Sequence, residues 1–109
     1  MGYKIQVSDT AESNIDGILV YMLDTLKSPG TAVGFLDDLK RTYEYLEESP
    51  YIYSVCKDAF LARQGYRSAV IKSYLIFYQI EEDVKVVKIV AVIYGGRDYA
   101  KLISAENET

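Results

Sequence analysis

The chain has 109 residues, half of them apolar, and a formal net charge of −4. That size suits one domain around one core, and the acidic balance argues against a general nucleic-acid binder, which carries a basic excess. One cysteine, Cys56, and no histidine exclude an intrachain disulfide, a cysteine-built metal site and the commonest acid–base catalyst. The opening MGYKIQVSD lacks the apolar run of a signal peptide, and Gln6 stands where myristoylation wants Ser or Thr. The apolar run 84–94 is interrupted by Lys85 and Lys88 and is too short to span a bilayer. A soluble, cytoplasmic protein without metal or cofactor is expected.

Tyr3, Ile5 and Val7 alternate with Lys4 and Gln6, which predicts a short half-buried strand. Asp9 followed by Glu12 has the form of a capping box. Ala11, Ile15, Ile18, Met22 and Leu26 then share one helical face, Gly17 weakens the helix, and Ser28-Pro29-Gly30 ends it. Pro29 also suits the first turn of a second helix, whose stripe is Ala32, Leu36, Leu39, Tyr43 and Leu46 and which Pro50 stops. So short a connection predicts an antiparallel hairpin. Residues 51–64 are irregular yet apolar, a packed loop. Strands are predicted over 66–71, 74–80 and 84–94, joined by Lys72-Ser73 and Glu81-Glu82-Asp83 into an antiparallel meander. The last strand is apolar on both faces from Ile89 to Ile93, which suits a central position. A short helix after Asp98 is expected to dock Leu102 and Ile103 inward, with 104–109 as a disordered tail. The predicted class is α+β, a single domain over 1–109 in the order β-α-α-β-β-β(-α). Its antiparallel sheet carries the helical hairpin on one face and leaves the other at least partly open, because no further long helix remains.

The stretches YKIQVSDTAESNIDGILVYM, AVGFLDDLKRTYEYLEESP and GYRSAVIKSYLIFYQIEEDVKVVKIVAVIYGGRDYAKLI resemble, in that order, the first strand and helix, the second helix and the C-terminal sheet of the RelE/ParE superfamily. Its members are the toxin halves of bacterial type II toxin–antitoxin systems. The most specific part is the Y-L-I-F-Y-x-I strand, a charged turn, an apolar strand and then R-D-Y. The resemblance implies a cognate antitoxin as partner and growth inhibition when the toxin is free, and it leaves a homodimer open. It implies one of two targets. RelE-like members enter the ribosome and cut mRNA as metal-independent endoribonucleases. ParE-like members inhibit DNA gyrase without catalysis. The alternative is a non-toxic protein-binding module of the same fold.

The resemblance marks Arg67, Arg97 and Tyr99 as site residues, with Tyr78 as a further candidate. A ribonuclease of this kind activates a 2′-hydroxyl, stabilises phosphate charge and protonates a leaving oxygen. Arginines suit the second task, and the set is thin for the other two. Leu75 stands where nucleolytic members often carry arginine, and SVCKDAFLARQ offers only Lys57 and Arg63 for gripping RNA. Plainer readings compete. Gly95-Gly96 serves as a simple turn, Arg97 and Asp98 as a solvated ion pair, or Asp98 as a helix cap. Arg67 would then only protect a sheet edge. Tyr43 reads as core, and Cys56 as a small buried residue with no histidine to activate it.

Overall fold

The described residues, 2–97, 99 and 101–103, run β1 (Lys4–Val7), α1 (Asp9–Val20), α2 (Pro29–Glu48), α3 (Ala59–Arg63), β2 (Arg67–Ile71), β3 (Tyr74–Glu81) and β4 (Val86–Tyr94) in this computed structural model. The strands form one sheet in the order β1-β4-β3-β2, with β4 in the central place its two-sided apolar run predicts. β2–β3 and β3–β4 are antiparallel, but β1 pairs with β4 in parallel. The sheet is therefore mixed, not purely antiparallel. Everything between β1 and β4 acts as a long crossover, and only a long connection can bring a strand back parallel to an earlier one.

The register between β3 and β4 jumps: Phe77 faces Ala91, whereas Tyr78 faces Ile89. Val90 is thus an extra residue, a β-bulge, and it switches the parity of β4. Val87, Ile89 and then Val92 point into one core, with Ile76, Tyr78, Phe35 and Leu46. Ala91 and Ile93 point into a second, with Cys56, Leu61, Tyr66, Phe77 and Ile103. The face expected to be partly open is covered in the stretch around Phe77 by α3, the loop before it, Tyr99 and Ile103.

Local chemistry explains the element boundaries. Ser8, rather than Asp9, caps α1: its Oγ accepts the Ala11 N–H at 3.0 Å. The helix then widens into a π-helical turn at Tyr21–Thr25, where the Leu26 N–H reaches the Tyr21 carbonyl at 3.0 Å. The wider turn moves Leu26 off the apolar face, and it is exposed. Ser28 caps α2, and Pro29 opens it as expected. The buried stripe of α2 is Ala32, Phe35, Leu39, Thr42 and Leu46, with Leu36 exposed. Both stripes advance in steps of three and four residues, so pitch does not choose between them; the observed face gives the Phe35 ring to the core in place of Leu36.

The packed loop contains α3, capped by Asp58, whose Oδ1 accepts the Leu61 N–H at 3.0 Å. Gly65 has φ 83°, the left-handed conformation that ends such a helix. Strands β2 and β4 begin one and two residues later than expected. Past β4, Tyr99 and residues 101–103 are helical. Ile103 is buried, whereas Leu102 stays exposed, so only one of the two docks inward. Asp98, Ala100 and the tail 104–109 lie outside the described residues. Among the described residues, no helix is long and apolar enough to cross a membrane.

Candidate functional site: a groove beside the open end of β4

β1 pairs only with Val86–Ile89 of β4, so among the described residues the second half of β4 has no strand on that side. An unpaired edge attracts other chains, and α1 covers part of it. The Ser8 Oγ donates to the Val90 carbonyl at 3.2 Å, and the Asn14 Oδ1 accepts the Val92 N–H at 3.1 Å. Between α1 and residues 90–94 lies a groove of about 830 Å³. Its helical wall is Ser13, Asn14, Gly17 and Tyr21, residues that share a face at three- and four-residue spacing. Leu102 and Ile103 contribute to the lining as well, and Arg97 sits at its rim.

The turn that places Arg97 depends on glycine for a reason other than left-handed dihedrals. Neither Gly95 nor Gly96 has positive φ. A Cβ on Gly96 would come within 2.6 Å of the Tyr94 ring, and one on Gly95 within 3.3 Å of the Ser73 carbonyl oxygen. The chain lies flat on Tyr94, the Gly95 N–H donates to Ser73 at 2.8 Å, and the Arg97 N–H donates back to the Tyr94 carbonyl at 3.0 Å. Arg97 is exposed, and among the described residues no carboxylate lies within ion-pair distance of it. The Tyr74 ring, also on the lining, packs edge-on against Tyr94 at 6.0 Å and Phe35 at 5.5 Å. Burial, then the neighbouring Tyr21 and Tyr94, push the Tyr74 phenol up from its ordinary value. It therefore stays protonated at neutral pH and is a poor base.

The other candidate residues lie elsewhere. Arg67 stands opposite Tyr78 while Tyr94 stands opposite Tyr74, so four residues of β3, about 13 Å of strand, separate the two arginine positions. Arg67 shares its face of β2 with Ala69 and Ile71, both in the core beneath the hairpin. Its Nη1 donates to the Tyr53 carbonyl at 2.6 Å, and its guanidinium carbon lies 5.0 Å from the centre of the Tyr51 ring. Tyr78 is fully buried and donates its hydroxyl to the Pro50 carbonyl at 2.8 Å. Burial pushes its phenol up to about 12, against a lowering by Arg67. Tyr99 is half-buried on the opposite face, its ring 5.0 Å from Phe77.

Around Arg67 the structure builds a cluster that the sequence presented only as a turn. Glu82 accepts from the Tyr3 hydroxyl at 2.9 Å and the Tyr51 hydroxyl at 2.7 Å, and it pairs with Lys85. Lys85, then Tyr51 and Tyr3, hold the Glu82 carboxyl down at about 2. β1, the loop after α2 and the β3–β4 turn are thus fastened together. The groove residues Ser13, Asn14 and Tyr21 were also passed over. Their one sequence signal was Gly17, which weakens α1 for no gain within the helix. No group of three or more His, Cys, Asp or Glu among the described residues could hold a metal ion.

A mixed four-stranded sheet with a helical hairpin on one face is the fold of small RelE/ParE-type toxins, as similar solved structures show. The toxin–antitoxin structure described as the chromosomal ParDE system of P. aeruginosa aligns at TM-score 0.67 and 12% identity, over 84% of this chain and 95% of that one. A free E. coli RelE toxin with two arginine-to-alanine substitutions aligns at 0.67 and 16%, over the whole of both chains. The intact E. coli RelBE toxin–antitoxin complex aligns at 0.60 and 16%, over 87% and 99%. No curated protein matches in sequence. The family model for the ParE toxin of the type II toxin–antitoxin system parDE matches residues 5–99. The chain belongs to that ParE toxin family.

Proposed function

We propose that this toxin arrests growth by binding DNA gyrase and not by cutting mRNA. One observation carries the choice: the candidate residues do not converge. A nuclease needs phosphate-binding cations and proton-transfer groups around one reacting phosphate. Here Arg67 is engaged about 13 Å of strand away from the Arg97 end, Tyr78 is sealed in the core, and Tyr99 stacks on Phe77. Arg97 alone of the four stands at the rim of an open groove, which suits binding. The match to the ParE toxin model supports the same reading. A cognate antitoxin, folding on the toxin as it binds, fits the likeness to the RelBE complex, and a gyrase target places the toxin's action in the cytoplasm.

The test uses purified components. The protein should inhibit supercoiling by gyrase and leave mRNA intact on translating ribosomes. Cleaved mRNA that appears only with ribosomes, together with undisturbed supercoiling, would reverse the assignment. Neither effect at high concentration, with a folded protein and unimpaired growth on induction, would leave the non-toxic binding module as the better reading.

A further inference from the structure

We infer that the groove beside β4 is a peptide site, and that its occupant is a segment of the inhibited protein with apolar residues flanking an acidic side chain. The inference rests on the binding reading above and adds the ligand's chemistry. The alternation that sends the Val92 N–H to Asn14 turns the Val92 carbonyl and the Tyr94 N–H the same way, away from β3, since the Gly95 N–H goes to Ser73, just before β3. Among the described residues neither group has a partner, so the floor offers one backbone acceptor and one donor to an extended chain. Ser8 and Asn14 occupy the edge nearer β1, so a whole strand cannot add there, and a short segment of a few residues can. The walls are mixed: Ser13 and Asn14 with Ile18 and the rings of Tyr21 and Tyr74.

Charge selects the occupant. Arg97 is exposed at the rim without a described carboxylate partner, and a guanidinium fork matches a carboxylate in two parallel hydrogen bonds. Gly17 supplies the room. A Cβ placed there meets nothing within 4 Å, although a glycine inside a helix destabilises it relative to alanine. Space kept on the groove wall at a cost to the helix is what a site for an incoming chain requires.

Gly17 also provides the test. Gly17→Leu should fill the groove without a clash and hold or raise the melting temperature, because it removes a helix-weakening residue. The probe is a fluorescein-labelled ten-residue peptide of alternating Leu and Glu, blocked at both ends, with a Leu–Lys counterpart. The acidic peptide should bind at least about tenfold more tightly than the basic one. Gly17→Leu and Arg97→Glu should each weaken it at least about tenfold, while Val33→Ser, on the exposed side of α2, should not. Failure of the acidic peptide to bind, equal binding of the basic one, or indifference to both groove variants would overturn the inference. So would displacement of the peptide by an oligouridine with the same dependence on Arg97, which would make the ligand a nucleic acid.

Supercoiling assays on the same proteins separate this inference from the reading beneath it. If the wild type inhibits gyrase and Gly17→Leu inhibits it equally, the groove is not the target surface, although the gyrase reading stands. The same holds if Gly17→Leu loses only a co-expressed antitoxin. If the wild type leaves gyrase untouched while peptide binding still depends on Gly17 and Arg97, the gyrase reading fails and the peptide site survives.

Discussion

Arg67, at the start of the edge strand and opposite the middle of β3, and Arg97, beyond the end of β4, are spent differently. Arg67 begins an edge strand, donates to the Tyr53 carbonyl and lies against the Tyr51 ring, beside a cluster that ties Tyr3, Tyr51 and Lys85 to Glu82. Arg97 follows the central strand, beyond a turn that lies flat on Tyr94, and faces solvent at the rim of a groove. Both were site candidates on the superfamily resemblance. One arginine has found a carbonyl and a ring within the fold, whereas among the described residues no carboxylate pairs with the other. A residue's type and place along the chain do not reveal which, because what matters is whether nearby acceptors have already claimed its donors.

Substitutions sharpen that contrast, and the largest effect belongs to the Arg67 end. Tyr78 is fully buried opposite Arg67, so Tyr78→Ala should cost about 3–5 kcal/mol, read from the chemical-denaturation midpoint. Tyr78→Phe, which leaves the Pro50 carbonyl without its donor, should cost about 1–3 kcal/mol. A Tyr78→Phe protein with unchanged stability would mean that water replaces the bond and that this end is looser than it looks.

Arg67→Ala comes next. It removes a charged hydrogen bond and a cation–π contact, about 1–3 kcal/mol together, and should lower the melting temperature. The soluble, folded fraction should still inhibit growth. Loss of toxicity at full stability would instead make Arg67 a contact residue and undo the comparison.

The alkaline limb of stability probes the same buried end. Tyr43 is pushed up to about 12 by burial and then by Glu12, and its hydroxyl has no hydrogen-bond partner among the described residues. Tyr78 is pushed up to about 12 as well. Both phenols are raised from 10.0, so the fold favours their protonated forms. Their contribution is complete below pH 10 and declines as pH rises towards 12. Denaturation midpoints across that window should fall for the wild type and flatten in a Tyr43→Phe, Tyr78→Phe double variant.

The smallest effect on stability belongs to Arg97. Arg97→Ala should shift it by less than about 0.5 kcal/mol, as at most exposed sites, while weakening target binding by a factor on the order of 10–100. Arg97→Lys should restore part of that, because an ammonium lacks the planar fork. Thermal melts and growth curves on the same variants check both halves. A normally folded and fully toxic Arg97→Ala protein would reduce GGRDY to the end of a strand.

Much of this was legible in the sequence. Period-two and period-3.6 apolar patterns, Pro29, Pro50 and the charged turns set the element order and put β4 in the centre, because burial demands on each face are written locally. The order of those elements, with the R-D-Y ending, was enough to show the superfamily resemblance. What tertiary structure decided was nonlocal. The parallel pairing of β1 and β4 joins residues about 80 positions apart, and no local pattern distinguishes it from an antiparallel neighbour. The bulge at Val90 chose which residues of an all-apolar run face which core. The π-helical turn displaced Leu26, and the size of Phe35 displaced Leu36. The division of labour between the two arginines followed from what folding brought to them: a carbonyl and a ring for Arg67, an open groove for Arg97. A hydrogen bond is settled by distances of about 3 Å, and the chain acquires those only when it has folded.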